Sequence, residues 1–215
     1  MATPTLITLT DPRSAAAEAY RTLRTNLMFT SVEKPIHTLV VSSPQANEDK
    51  SIALANLAVT LAQAGNKTIL VDADLRASSQ HDIWGIENHG LTTMMIDDAA
   101  LSNPPLVATE VDQLQVLPAG EDARDPAGLL SSKRMNEILG VLKARATYVL
   151  FDAPPILAAS DAALLGVKVD GVLMVLKSGQ SRRDATTRAR EALDRVHARI
   201  IGSVLLDAPG DGRLI

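Results

Sequence analysis

Lys50 and the serine that follows it stand between an apolar strand pattern and a helical pattern, which is where a phosphate-binding loop belongs. Such a loop binds phosphates with backbone N–H groups, and glycine lets that backbone approach the ligand closely. Residues 42–52 contain no glycine, and the two glycines of the pattern GxxxxGK[ST] fall on Pro44 and Asp49. Only Lys50 and Ser51 satisfy the pattern, so the meaning of this pair depends on the rest of the chain.

Carboxylates at two other predicted strand ends could complement this pair. One strand pattern ends at Asp72, with Asp74 two residues later, and another ends at Asp152. Carboxylate oxygens suit Mg²⁺, and a lysine with Mg²⁺ supplies most of what phosphoryl transfer needs from a protein. A single aspartate after a strand is often only a turn former or a helix cap. Two acidic strand ends beside Lys50 and Ser51 favour a site for a magnesium-bound phosphate ligand.

The elements that must position these residues alternate between short β-rich runs and helical patterns. This alternation predicts an α/β fold, a mostly parallel sheet covered on both faces that binds ligands at the carboxyl ends of its strands. An amphipathic helix over 11–31 precedes a core over 36–207, with Asp11 as its N-cap and Pro12 at its first position. The predicted strands are 38–43, 68–72, 114–118, 148–152, 171–177 and 200–206, and the predicted helices of the core are 51–64, 132–146, 160–167 and 182–196.

The composition excludes several classes of protein. A length of 215 residues suits one domain, and 46% hydrophobic with only 2% aromatic residues predicts an aliphatic core. The absence of cysteine excludes disulfides and thiolate metal sites, and with no N-terminal apolar segment it predicts a cytosolic protein. No apolar run approaches the roughly 20 residues of a membrane-spanning helix. A net charge of −4 argues against nucleic-acid binding, and we interpret one locally basic helix as a solvated face: Arg182, Arg183, Arg188, Arg190 and Arg195.

Six segments, in the right order along residues 11–206, resemble the cytoplasmic kinase domain of the bacterial tyrosine kinases (BY-kinases). These kinases belong to the same P-loop superclass as the MinD and ParA ATPases, so the resemblance implies a P-loop NTPase-like fold. The segments are Glu-Ala-Tyr-Arg-Thr-Leu-Arg-Thr-Asn at 18–26, Ile-Leu-Val-Asp-Ala-Asp-Leu-Arg at 69–76, Leu-Pro-Ala-Gly at 117–120, Pro-Ala-Gly-Leu-Leu-Ser-Ser at 126–132, Val-Leu-Phe-Asp-Ala-Pro-Pro at 149–155 and Ser-Asp-Ala at 160–162.

The resemblance implies a role for each polar residue of the site. Lys50 would contact the nucleotide phosphates, and Ser51 would bind Mg²⁺. Asp72 and Asp74 would match the Walker A′ carboxylates, with Asp72 as a base or a water-holding group, and Asp152 would match the Walker B carboxylate. Lys50, Asp72, Asp74 and Asp152 are therefore the expected catalytic residues, and Ser51, Asp74 and Asp152 the expected metal ligands. The expected nucleotide-binding loop comprises Asn47, Glu48, Asp49, Lys50, Ser51 and Ile52.

The loop departs from the family pattern at the residues nearest the phosphates. This chain has Asn47 and Asp49 where the family has glycines, and it has Ile52 where the family usually has a threonine after the serine. Asparagine tolerates the left-handed conformation, so Asn47 could preserve the backbone turn. The carboxylate of Asp49 is harder to accommodate, because its repulsion of a phosphate charge about 4 Å away costs roughly 4 kcal/mol at an effective ε of 20. Asp49 could instead cap the helix and occupy the anion site, with Lys50 paired to Asp49 or Glu48. The alternative is that the substitutions only reduce affinity.

Two further departures concern the adenine base and the phosphoacceptor. The last strand has Leu206 where the family usually has an asparagine that recognises adenine, and leucine cannot hydrogen-bond a base edge. The sequence has only two tyrosines, Tyr20 and Tyr148, and no C-terminal tyrosine cluster. Autophosphorylation in the family's usual way is therefore not expected of the printed residues, although a tail outside them would also account for the missing cluster.

Together these features predict a BY-kinase-like protein of exopolysaccharide or capsule biosynthesis and chain-length control, with impaired ATP binding and tyrosine phosphotransfer. One alternative is an active kinase that uses ATP and Mg²⁺ to phosphorylate tyrosines in trans. A second is a MinD- or ParA-type positioning ATPase, although its signature lysine would fall on Gln45.

The resemblance also implies partners. A membrane polysaccharide co-polymerase or activator would recruit this cytoplasmic chain to the membrane. Glu18, Arg21 and Arg24 recur every three residues and so share one helix face, which the family uses for oligomerisation. The alternative for these three residues is an exposed row of intrahelical ion pairs.

Overall fold

The computed structural model describes residues 5–29 and 34–208 and contains one seven-stranded sheet. The order across the sheet is β3-β4-β2-β5-β1-β6-β7, and every pairing is parallel except that of β3 with β4. The strands are β1 (Thr38–Ser42), β2 (Thr68–Asp72), β3 (Val107–Ala108), β4 (Leu114–Leu117), β5 (Tyr148–Asp152), β6 (Gly171–Lys177) and β7 (Ile200–Leu206).

Helices cover both faces of the sheet. One apolar cluster lies on each face, and β1, β2 and β5 are buried almost throughout because both of their faces are covered. No helix within the described residues is both long enough and apolar enough to cross a membrane. The helices are α1 (Ile7–Thr10), α2 (Ala15–Phe29), α3 (Lys50–Gln63), α4 (Gln80–Trp84), α5 (Leu91–Ile96), α6 (Asp98–Ser102), α7 (Pro126–Ser131), α8 (Lys133–Lys143), α9 (Asp161–Gly166) and α10 (Arg183–Arg195).

The predicted mostly parallel α/β fold is confirmed. Four predicted strands match β2, β5, β6 and β7 at both ends, and the other predicted elements of the core differ from the observed ones by one to three residues at an end. The alternation of patterns did not reveal α1, β3 or the short helices α4 to α7. These elements span six residues or fewer, too few for a clear periodicity. The description of the chain as one domain, with its core at 36–207, stays a prediction.

The predicted start of the first long helix is wrong. Asp11 follows the short helix α1 and donates its backbone N–H to the Ile7 carbonyl, so it ends one helix instead of beginning the next. The long helix α2 begins at Ala15, and the hydroxyl of Ser14 accepts a hydrogen bond from the Ala17 N–H at 3.2 Å. The predicted end, residues 30 and 31, lies outside the described residues.

The order of the central strands brings the acidic strand ends together. β5 lies between β1 and β2, with Asp152 beside both Val41 and Asp72 in the parallel registers. Because parallel strands point the same way, the loop that follows β1 and the aspartates that follow β2 and β5 meet at one edge of the sheet. This edge holds the candidate site.

Candidate functional site

The first turn of α3 places Lys50 over the ends of β2 and β5. Its ammonium lies 2.8 Å from Asp152 Oδ1, 3.0 Å from Asp74 Oδ2 and 3.3 Å from Ser51 Oγ. Lys50 is 8% exposed, Asp74 is 3% exposed and Asp152 is fully buried. Burial alone would lower the pKa of Lys50, but the charges and hydrogen bonds of Asp152 and Asp74 raise it above its usual value. We call Lys50, Ser51, Asp74 and Asp152 the floor of the site.

Asp72 lies beside the floor but is directed towards the start of α4. Its carboxylate accepts hydrogen bonds from the backbone N–H groups of Gln80 at 2.8 Å, Ser79 at 2.9 Å and Asp74 at 3.2 Å. Burial and the neighbouring charge of Asp152 raise the pKa of Asp72 to about 7. A carboxyl group with that pKa suits proton transfer near neutral pH, which is the property that a general base needs.

Gln80 is a residue of the site that the sequence did not reveal. Its side-chain amide donates to Asp152 Oδ2 at 2.8 Å and to the Ser51 carbonyl at 3.1 Å, and its carbonyl oxygen accepts from the Trp84 indole at 3.2 Å. Both oxygens of Asp152 are therefore held, one by Lys50 and one by Gln80. A glutamine at the start of a short helix carries no sequence signal for such a contact.

The loop from β1 to α3 turns in the left-handed conformation at both positions to which the sequence resemblance assigns glycine. Asn47 has a φ of 65° and Asp49 a φ of 52°. The prediction that Asn47 tolerates this conformation is confirmed, and Asp49 adopts it as well. The backbone turn that glycine would ease is therefore present in a loop without glycine.

The alternative in which Asp49 caps α3 and pairs with Lys50 is wrong. The Asp49 side chain makes no capping hydrogen bond and forms an ion pair with Lys177 at the end of β6, while Lys50 pairs with Asp74 and Asp152. A full positive charge on Lys177 attracts the carboxylate more strongly than the partial charge at a helix terminus. Lys177 also lies 3.6 Å from Asp207. We call Asn47, Asp49, Lys177 and Asp207 the rim of the site.

Glu48 is also directed away from Lys50. Its carboxylate is buried, accepting from the Ser181 hydroxyl at 2.5 Å and from the Gln45 backbone N–H at 3.2 Å. Gln180 donates to the Asn47 carbonyl at 2.8 Å. The sequence did not indicate Lys177, Gln180 or Ser181, because they lie about 130 residues from the loop that they contact.

Two cavities flank the loop. One of about 930 Å³ contains Lys50, Ser51 and Asp74 in its wall, and one of about 580 Å³ lies towards α2 and the end of β7. Ile52 borders both cavities, and Leu206 borders the smaller one. The smaller cavity is therefore apolar where the family's base-recognising asparagine is expected.

The floor suits a cation shared with a ligand better than a cation bound by the protein alone. Three oxygen atoms, from Ser51, Asp74 and Asp152, lie within 3.3 Å of one point, the Lys50 ammonium. Among the described residues no cluster of three His, Cys, Asp or Glu side chains is placed to hold a metal. Mg²⁺ keeps several waters and commonly uses only one or two protein carboxylates beside substrate phosphates. The donor set thus fits Mg²⁺ that arrives with a phosphate ligand.

Comparison with known proteins agrees with this geometry. The tyrosine-protein kinase YwqD of Bacillus subtilis (strain 168) is 38% identical to this chain over 201 residues, which is 93% of this chain and 84% of YwqD. The chain belongs to the bacterial tyrosine kinases. The putative tyrosine-protein kinase CapB of Staphylococcus aureus is 32% identical over 93% of this BY-kinase and 88% of CapB. No family model matches the chain.

Solved structures show the same relationship. The kinase domain of Escherichia coli tyrosine kinase ETK matches this BY-kinase with a TM-score of 0.90 at 26% identity, covering 99% of this chain and 84% of ETK's. The MinD protein of Pyrococcus horikoshii matches with a TM-score of 0.62 at 20% identity, covering 79% of this chain and 69% of MinD's, which shows the shared P-loop fold alone.

The three residues that the resemblance assigns to oligomerisation lie on α2 of this BY-kinase. Arg21 pairs with Glu18 at 2.7 Å on the exposed side of the helix. Arg24 instead donates to the Thr60 carbonyl of α3 at 3.0 Å, so this contact is internal to the chain.

Of the two tyrosines, Tyr20 lies on the same helix, and burial with the charges of Asp207 and Asp49 raises its pKa to about 12.

Proposed function

We propose that this BY-kinase is a cytoplasmic protein of exopolysaccharide or capsule biosynthesis and chain-length control that binds Mg²⁺-ATP weakly and has little or no tyrosine phosphotransfer activity. Membership of the bacterial tyrosine kinases supports the kinase ancestry. The role in polysaccharide assembly, and a membrane co-polymerase or activator as the recruiting partner, come from the family resemblance. The proposed impairment is inferred from the loop between β1 and α3, which we call the phosphate loop.

The observation that carries the proposed impairment is the carboxylate of Asp49 on this loop. It directly precedes Lys50 in a loop whose backbone N–H groups would surround phosphate. An uncompensated negative charge about 4 Å from a phosphate oxygen would cost roughly 4 kcal/mol, but Lys177 is paired with Asp49 and offsets part of this repulsion. The expected result is weakened nucleotide binding and not a complete loss.

The floor and the neighbouring Asp72 supply the residues that would act on a bound nucleotide. Lys50 would contact the phosphates, Ser51, Asp74 and Asp152 would hold Mg²⁺, and Asp72 would accept the proton of an incoming hydroxyl. Bound Mg²⁺-ATP supplies the phosphoryl group itself. Lys50 already forms two buried ion pairs, so a nucleotide competes with Asp74 and Asp152 for its ammonium.

The same intact floor favours the alternative, an active kinase that phosphorylates tyrosines of another protein. Lys50, Asp74 and Asp152, the charged residues that the resemblance assigns to the floor, are present and in contact in this chain. Weak binding and slow transfer distinguish the main proposal from this alternative, because an active kinase needs a nucleotide affinity that supports turnover.

Calorimetric titration with Mg²⁺-ATP tests the proposal. The native chain is compared with the double variant Asn47→Gly and Asp49→Gly, and Asn47→Gly alone is the matched control that keeps the carboxylate. Removing the carboxylate should tighten binding at least about tenfold, whereas the control should differ little from the native chain. Phosphotransfer onto a tyrosine-containing polypeptide is measured on the same samples. Tight native binding with turnover would establish the active kinase instead.

A further inference from the structure

Three consecutive residues of the phosphate loop each contact one residue at the end of β6 or in the turn that follows it. The Asn47 carbonyl accepts from Gln180 at 2.8 Å, Glu48 accepts from Ser181 at 2.5 Å, and Asp49 pairs with Lys177. We call Lys177, Gln180 and Ser181 the latch. The loop is therefore attached at every residue between Ala46 and Lys50.

The turn that carries the latch is itself held by hydrogen bonds. The Lys177 N–H donates to the Ser181 hydroxyl at 2.7 Å, and the Lys177 carbonyl accepts from the backbone N–H of Ser181 at 2.8 Å and of Gln180 at 3.1 Å. Gly179 permits the turn with a φ of 73°. Since Lys177 ends a strand that pairs with β1 and β7, the latch is anchored in the sheet.

We propose that Lys177 is a positioning residue of the phosphate loop. Its ammonium directs the Asp49 carboxylate away from the backbone N–H groups that would bind phosphate. This inference rests on the proposed function in one respect, namely that the loop is the nucleotide site. The latch takes over the task that glycine performs elsewhere by having no side chain. Gln180 and Ser181 fix the two preceding residues, so the loop keeps its shape while Asp49 is held outwards.

The charges around Lys177 predict that the effect of removing this lysine depends on Asp49. Asp49 and Asp207 both lie beside its ammonium, and the Asp49 side chain is 45% exposed. Without Lys177, Asp49 would be repelled by Asp207 and attracted by the partial positive charge at the start of α3. It would then occupy the position of a phosphate. The effect of Lys177 on ligand binding must therefore depend on Asp49.

The test compares the native chain with Lys177→Met, Asp49→Asn and the double variant, and Lys168→Met serves as a control for the loss of a half-buried lysine. Lys168 contacts Asn136 at 2.6 Å and is remote from the loop in sequence and contacts. Hydrogen–deuterium exchange without ligand is measured first. The amides of residues 45–50 should exchange about fivefold faster in Lys177→Met, with those of α8 unchanged. Lys168→Met should leave the exchange of residues 45–50 unchanged.

Binding of Mg²⁺-ADP is the second measurement. Lys177→Met should weaken it about fivefold when Asp49 is present and less than about twofold in the D49N background. An equal loss in both backgrounds would overturn the proposal, because Lys177 would then contact the ligand itself. Unchanged exchange at residues 45–50 would also overturn it. If no variant binds Mg²⁺-ADP, the proposed nucleotide binding is refuted. The exchange measurement still shows whether Lys177 fixes the conformation of residues 45–50.

Discussion

The floor and the rim of the site both pair lysine with two carboxylates, but in different surroundings. Lys50 lies between Asp74 and Asp152 in the interior, whereas Lys177 lies between Asp49 and Asp207 near solvent. The sequence resemblance assigns the expected catalytic residues Lys50, Asp74 and Asp152 to the floor and the departures Asn47 and Asp49 to the rim. Buried charges are costly to change because each needs its partner, while exposed charges can be exchanged at little cost to the fold. A substitution on the rim should therefore alter the chemistry of the loop at less cost to stability than a substitution in the floor.

The largest expected effect separates these two lysines by stability. Lys50→Met leaves two buried carboxylates without their cation, and it should lower the free energy of unfolding by about 3–5 kcal/mol. Lys177→Met is the matched control, and its effect should be much smaller because its partners remain solvated. Urea unfolding followed by circular dichroism measures both. Equal losses in the two variants would show that burial does not distinguish floor from rim.

An intermediate effect should appear in the pH dependence of stability. The folded chain keeps a proton on Asp72 up to about pH 7, whereas the unfolded chain releases it near 3.8. The folded state therefore binds more protons between these values, and this residue's contribution to the free energy of unfolding falls as pH rises through them. The slope is at most about 1.4 kcal/mol per pH unit for one group.

Asp72→Asn should remove this part of the slope, and urea unfolding at several values from pH 4.5 to pH 8 measures it. Asp49→Asn on the rim is the control for replacing an aspartate outside the buried network. An unaltered slope in Asp72→Asn would mean that Asp72 stays ionised in the folded chain.

The smallest effect on stability is expected on α2. Here Arg21 forms an exposed ion pair and Arg24 contacts α3, so the two arginines differ in surroundings as the rim and the floor do. Arg21→Ala should cost less than about 1 kcal/mol, because its pair with Glu18 is exposed. Arg24→Ala removes the contact with Thr60 and should cost slightly more. If this face forms the oligomer that the family resemblance implies, the two changes together should lower the mass measured by sedimentation. A mass that stays constant would eliminate the interface.

The strands could be predicted because their residues carry the necessary information locally. Four strands match their predicted ends, since buried parallel strands are continuous apolar runs bounded by polar residues. The convergence of Asp72, Asp74 and Asp152 also followed from the sequence, because parallel strands bring their carboxyl ends to one edge. Short helices such as α4 were missed, and with α4 the contact of Gln80 with Asp152.

The sequence by itself determined the α/β fold, the place of the candidate phosphate loop between β1 and α3, and the absence of glycine from that loop. Only the tertiary structure decided where the charges of that loop are directed. Lys177 lies 128 residues from Asp49 along the chain, and Asp152 lies 102 residues from Lys50. A carboxylate at a helix start can cap the helix or pair with a distant cation, and local sequence favours the cap. The order of the strands brings Lys177 within reach, and its full charge outweighs the helix terminus.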